Sequence, residues 1–370
     1  MAFTEKYVTN AGAGTADGSS LANAWSWVTM LTSLSAGQRA NVQGAITRTT
    51  NSDTFTNNAT TANPMSIRGI NSALDDLEAN GRTRGGSLVT TNFPTITYTT
   101  GKLTLPSNCI CEHISLTSAI SGTSLVGNAS MVVRRCVIAN THATSASAIA
   151  ITIGTGVLID CDISCVSSSS SAKAIQSNAA GLIYLCKITG NTSGGGCVDL
   201  SGASGRVIAC VLQDAGFGVT SSGASTGLNA VFGCSFRNIT NNYLKTTATT
   251  GSFHCIANNV AWGSGGSSQW YSANGTVSSN NQFNNFIGNM GVSDADLGNW
   301  INRYGVTLTA DPFTSSTDLT LNNTSGGGAL VRGAGHPAYL DGGAWQHQDA
   351  GGGGGGAGTV LGTSMIRGID

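Results

Sequence analysis

Charge is what this sequence lacks most. Asp, Glu, Lys and Arg make up 9% of its 370 residues, against about 25% in an ordinary soluble domain. That scarcity excludes a coiled coil or helical bundle, which is built from Ala, Glu, Lys, Leu and Arg. A disordered chain is excluded as well, since it would carry more charge and less than the 40% apolar residues present. Proline occurs 5 times, so the 51 glycines do not belong to a collagen repeat. The net charge is −1, so no electrostatic footprint for nucleic acid or an anionic membrane is expected. No apolar run approaches the ~20 residues that span a bilayer, so membrane insertion is not expected. The opening Met1-Ala2-Phe3-Thr4-Glu5-Lys6 has no basic start followed by an apolar core. The expectation is therefore no signal peptide and synthesis in a cytosol. Ser, Thr and Asn supply about a third of the chain. With the glycines, they point to an all-β protein rich in turns.

The 10 cysteines are the most informative residues. Cys111, Cys136, Cys161 and Cys186 lie 25 apart, Cys210 and Cys234 follow at 24, and Cys255 at 21. A fixed period in this range marks a repeat architecture. Two residues beyond each cysteine come His113, Ile138, Ile163, Ile188, Leu212, Phe236 and Ala257, mostly apolar. The residues between are mixed, and such alternation marks a strand with one buried face. A second apolar cluster recurs at Ile149/Ile151, Ile175, Val198/Leu200, Val219, Leu244 and Trp270. One geometry fits: each repeat winds once around a tube, and equivalent strands stack in parallel at ~4.8 Å. Cys111, Cys136, Cys161, Cys186, Cys210, Cys234 and Cys255 then form an internal ladder of reduced thiols, with nine or ten coils expected in all. Stacked thiols do not converge on a point, so no metal site is expected.

Residues 1–40 are expected to hold a strand and a capping helix. Ser19 or Ser20 would N-cap that helix, and Leu21, Ala24, Trp25, Val28 and Leu31 would share one face. Residues 41–290 are expected to form the parallel β-helix. Residues 291–350 should form a closing segment, with a short helix over 293–303 and short strands over 305–348. Residues 351–370 begin with a run of glycines that reads as a linker. The following Val360, Leu361, Met365 and Ile366 read as an assembly tail.

Tyr7-Val8-Thr9-Asn10, Gly18-Ser19-Ser20-Leu21-Ala22-Asn23-Ala24-Trp25 and Asn63-Pro64-Met65-Ser66-Ile67-Arg68-Gly69-Ile70 resemble the entry of right-handed parallel β-helix proteins of the pectate-lyase-like superfamily. Asp311-Pro312-Phe313 and Asp341-Gly342-Gly343-Ala344-Trp345-Gln346 resemble its closing segments. The resemblance implies a right-handed single-stranded parallel β-helix. Its members include polysaccharide lyases, hydrolases, phage tailspikes and other phage structural proteins. A chain without a signal peptide is closest in character to the virion members.

A lyase of this kind would need converging acids for Ca²⁺ and a Lys or Arg base, and a glycosidase two spaced carboxylates. Over 109–260 the acids are Glu112, Asp160, Asp162, Asp199 and Asp214. Asp160, Asp162, Lys187 and Arg135 are the catalytic candidates of the enzymatic reading. The preferred reading makes them cross-coil ion pairs, Arg135 with Asp160 and Lys187 with Asp162, each worth about 0–1 kcal/mol. Arg134 falls on the inward parity with no evident partner. Trp262, Trp270, Tyr271 and Trp300 are candidates for a glycan platform or a subunit contact.

The function expected is therefore a non-enzymatic, self-assembling structural protein of a virion: a capsid decoration, fibre or tailspike-like component. It needs no cofactor. Its partners would be itself, as a homotrimer, and other virion proteins, and its place the virion surface after assembly in the host cytoplasm. The alternative is an extracellular polysaccharide lyase or depolymerase, or an adhesin that binds a cell-surface glycan.

Overall fold

The computed structural model describes residues 2–49, 52–71, 87–88, 90, 92–202, 204–222, 229–246, 253–263, 269–273, 282–288, 305–316 and 318–332. For residues 246, 253–258, 269–273, 282–288 and 305–307 it describes the backbone alone. Every named strand pair is parallel, and each strand pairs with its equivalent one winding on. Three sheets run along the tube. The first takes Cys109–Glu112, Val132–Arg134, Val157–Ile159, Leu182–Tyr184, Arg206–Ile208, Asn229–Phe232 and the start of Phe253–Trp262. The second takes Ser115–Ser118, Val137–Asn140, Asp162–Cys165 and Lys187–Thr189. The third takes Thr123–Val126, Ile149–Ile153, Lys173–Ser177 and Gly196–Leu200. From Val211–Ser221 onward, one long strand serves both the second and third sheets, with a register shift between Ala215 and Phe217. The chain is an all-β parallel β-solenoid of about seven regular turns, slightly fewer than the nine or ten expected. The winding from Met65–Gly69 to Cys109–Glu112 is the long one, 44 residues between register partners Ser66 and Ile110.

The register explains why cysteine recurs. Ser115 pairs with Val137, Val137 with Asp162, Asp162 with Lys187, Lys187 with Val211 and Val211 with Ser235. The preceding residues Cys136, Cys161, Cys186, Cys210 and Cys234 therefore stack at the corner between the first and second sheets, and all are buried. Each follows a residue with positive φ, namely Arg135 (50°), Asp160 (53°), Leu185 (55°), Ala209 (52°) and Gly233 (59°). This left-handed step turns the chain sharply and leaves carbonyls facing inward. A thiol is small enough for the corner and carries a weak donor. Cys161 Sγ donates to the carbonyls of Ile159 (3.4 Å) and Val133 (3.5 Å), and Cys210 Sγ to those of Ile208 (3.2 Å) and Ile183 (3.5 Å). Loss of solvation raises the thiols of Cys136, Cys161 and Cys210 well above the usual thiol range and pushes those of Cys109 and Cys197 up to about 12. None of the nine cysteines with described side chains is in a disulfide, and all nine are buried.

Both ends of the predicted ladder differ. Cys111 pairs with Val133 inside the first sheet, and Ile114 holds the corner below Cys136. Cys255 pairs with Ala230, and the corner above Cys234 is Asn259. Asn259 does there what the thiols do elsewhere. Its Nδ2 donates to the Val231 carbonyl (3.1 Å), and its Oδ1 accepts the Cys234 N–H (2.8 Å). The apolar column of the second sheet shifts in step, starting at Leu116 instead of His113 and reaching Ala261 instead of Ala257. His113 sits buried at the corner itself, with φ 57°, edge-on to Phe93.

At the N-terminus, Thr4–Thr9 pairs with Gln38–Val42 and Trp25–Ser26 pairs with Val8–Thr9. That second pairing delays the helix, which spans Trp27–Ser33 and is capped by Ser26, whose side chain accepts the Thr29 N–H. The buried face is therefore Trp27, Met30 and Leu31. Leu21 lies in a separate 3₁₀ turn and Val28 faces outward. At the other end, Leu308, Phe313, Leu319, Leu321 and Val331 lie over Val211 and Val260 on the outer face of the second sheet. The predicted helix over 293–303 and residues 333–370 lie outside the described residues.

Candidate functional site

The acids singled out from the sequence do not form one cluster. Asp160 and Arg135 occupy successive corner positions and pair across coils, with Arg135 Nε 3.4 Å from Asp160 Oδ2. Asp162 and Lys187 are in register on the outer face of the second sheet. Each also reaches the crossing segment at 87–88. The Leu88 N–H donates to Asp162 Oδ2 (2.8 Å), and Lys187 Nζ donates to Ser87 Oγ (3.1 Å). Arg134, expected to point inward, is partly exposed and forms an ion pair with the buried Glu112, its register partner one coil below. Asp214 accepts from Gln213 Nε2 (3.0 Å) and Asn238 Nδ2 (2.8 Å).

Trp262 is half-buried and packs against the apolar cluster that anchors the 308–332 segment. Trp270 and Tyr271 lie in the third-sheet strand Gln269–Ala273, where Tyr271, not Trp270, continues the Val219–Leu244 column. Their side chains, Trp300, and the tail residues Val360, Leu361, Met365 and Ile366 lie outside the described residues. Among the described residues, no group of three or more His, Cys, Asp or Glu side chains could hold a metal. No helix among them is long and apolar enough to cross a membrane.

A cleft on the outer face of the third sheet was not foreseen. Lys173, Gly196 and Phe217 occupy one outward column on successive coils. Gly196 leaves a gap between the other two, since a Cβ built there would meet nothing nearer than the Phe217 carbonyl at 3.8 Å. The resulting cleft holds about 190 Å³. Along its side run Asp199, Thr220 and Lys245. Asp199 is buried, forms an ion pair with Lys173, and accepts from Ser222 Oγ (2.6 Å). Lys245 Nζ sits 4.2 Å from the centre of the Phe217 ring. The cleft thus joins two cations, an aromatic face and hydroxyls around a carboxylate that is already neutralised. Only Asp199 among these belonged to the sequence-level list of acids. The Gly gap that makes the cleft carries no signal in a single sequence.

No known protein family matches the chain, and no curated protein matches it. Among solved structures, it is similar to pectate lyase Pel9A, with a TM-score of 0.68 and 11% identity over 94% of this chain and 98% of that one. Weaker likenesses are to an alginate lyase from Paenibacillus sp. str. FPU-7 (TM-score 0.39, 7% identity, 67% of this chain and 96% of that one) and a tailspike protein mutant of E. coli bacteriophage HK620 in complex with a pentasaccharide (TM-score 0.34, 11% identity, 78% and 50%). The fold is thus the pectate-lyase-like parallel β-helix.

Proposed function

We propose that this chain is a non-enzymatic structural protein that self-assembles as a component of a virion surface, of the fibre, tailspike or capsid-decoration kind. One observation carries the reading. All five carboxylates between residues 109 and 246 are engaged by other groups of the chain: Glu112 by Arg134, Asp160 by Arg135, Asp162 by the Leu88 amide, Asp199 by Lys173 and Ser222, and Asp214 by Gln213 and Asn238. A carboxylate held by a cation or an amide is kept in its ionised form, so it is a poor general acid. A face with so few charges also packs laterally with little desolvation cost. The test has two readings. Mass measured in solution is expected to give a homo-oligomer, a trimer in the first instance. Incubation with acidic polysaccharides is expected to produce no unsaturated ends. A monomer, or clear turnover, overturns the proposal.

The third-sheet cleft favours a second reading, an adhesin that binds an acidic glycan. Lys245 supplies the net positive charge, since Lys173 is paired with Asp199, and Phe217 offers a surface on which a sugar ring can stack. Binding of trigalacturonate that disappears in Gly196→Leu, where the leucine fills the gap, would support it. Binding unaffected by that change would end it.

A further inference from the structure

Two neighbouring columns run along the outer face of the second sheet. One carries Val137, Asp162, Lys187 and Val211, the other Ala139, Ser164, Thr189 and Gln213. The chain covers both ends of this face with its own segments. Toward the N-terminus, Ser87 and Leu88 hold Lys187 and Asp162. Toward the C-terminus, Phe313 and its apolar neighbours bury Val211, and Arg237 Nη2 holds Asp311 Oδ2 at 3.1 Å. Between the two covers a window of about 220 Å³ stays open, lined by Ser87, Asp162, Ser164, Lys187, Thr189 and Gln213 besides Val137 and Ile163.

We propose that this window binds one neutral, hydroxyl-rich ring, a hexopyranose residue of a glycan. Its volume corresponds to about seven waters at roughly 30 Å³ each, enough for a single sugar ring but not for a longer stretch. Its charge is balanced by one Lys187 ammonium and one Asp162 carboxylate, so an anion gains nothing there. Gln213 supplies the specific demand. It is 8% exposed, and its Nε2 donates to Asp214 Oδ2. A carboxylate only accepts, so this bond fixes which way the amide faces. Gln213 Oε1 is buried, and among the described residues nothing donates a hydrogen bond to it. A buried acceptor left unmet is costly, and a small turn of the Gln213 side chain toward the window would let a ligand hydroxyl meet it. The Ser164 and Thr189 hydroxyls give the floor groups that both donate and accept. This inference does not depend on self-assembly or on the third-sheet cleft.

The test measures binding of fluorescently labelled maltotriose, cellotriose and chitotriose to the full chain, with trigalacturonate as the anionic comparison. At least one neutral trisaccharide is expected to bind. Gln213→Leu is expected to weaken it about tenfold, the cost of one lost buried hydrogen bond. Thr189→Leu, on the half-buried floor, is expected to abolish binding by filling the window, and serves alone if the Gln213 variant does not fold. Arg206→Ala, exposed on the first sheet and outside both the window and the cleft, is expected to leave it unchanged. Absence of neutral binding, binding of trigalacturonate alone, or neutral binding indifferent to both window variants overturns the proposal. Oligomeric mass, read separately, reports on the structural reading and not on this one.

Discussion

Trp27 Nε1 donates to Asp53 Oδ2 at 2.7 Å, which ties the N-terminal helix to the first winding of the tube. The same carboxylate accepts from Tyr98 OH (2.8 Å) and is gripped by Arg48 through Nε (3.0 Å) and Nη2 (2.9 Å). Asp53, Trp27 and Tyr98 are all buried. Replacing Asp53 with Ala would strand a cation and two donors beneath the cap. The expected loss is about 3–5 kcal/mol, as for one member of a buried pair, read by denaturant unfolding.

Tyr98 should also make the fold sensitive to alkali. Burial, then the neighbouring Asp53 charge, raises its phenol above the ordinary value of 10.0. The folded state therefore keeps a proton that the unfolded state releases. Stability from this source is complete below pH 10 and falls as pH rises beyond it. Ultraviolet titration should show a phenol that ionises only on unfolding, and Tyr98→Phe should flatten that part of the pH–stability curve.

The corner thiols should be silent in the native protein. Desolvation holds Cys136, Cys161 and Cys210 protonated well past the usual thiol range, and only the thiolate reacts. A disulfide reagent at pH 8 is expected to label them only as the protein unfolds. Cys161→Leu should cost about 1–3 kcal/mol by overpacking the corner, measured by thermal or denaturant melting.

The 308–332 segment should detach without unwinding the tube. Its anchor is Phe313, 2% exposed within the cluster on Val211 and Val260. Phe313→Ala is expected to weaken that docking by about 3–5 kcal/mol. Hydrogen exchange should then speed up at the Thr314 amide, bonded to the Thr320 carbonyl, and leave Val219 and Leu244 protected.

Much of this architecture could be read from spacing because every winding repeats the same corner. The columns from Cys136 to Cys234 and from Ile138 to Phe236 needed only a constant period. The reading failed at Cys111 and Cys255 because it followed the letter rather than the position. The corner residue 25 places beyond Cys234 is Asn259, which does the thiol's task with an amide. Arg134 lacked a visible partner because Glu112 lies 22 residues back, in a shorter winding. The third-sheet cleft was illegible for another reason: it is made by a missing side chain at Gly196, and its two lysines stand three coils apart on different columns. The window above Gln213 depends on where two distant segments cross the tube, which no local pattern encodes.

The Asp53 clasp also makes the two ends of the rod mechanically unequal. Under tension from the C-terminal side, the ribbon would peel winding by winding, each releasing roughly 80 Å of extended chain at ~3.3 Å per residue. The last windings would resist longest, locked beneath the helix by Trp27, Tyr98 and Arg48, so a pulling experiment should end on its tallest force peak.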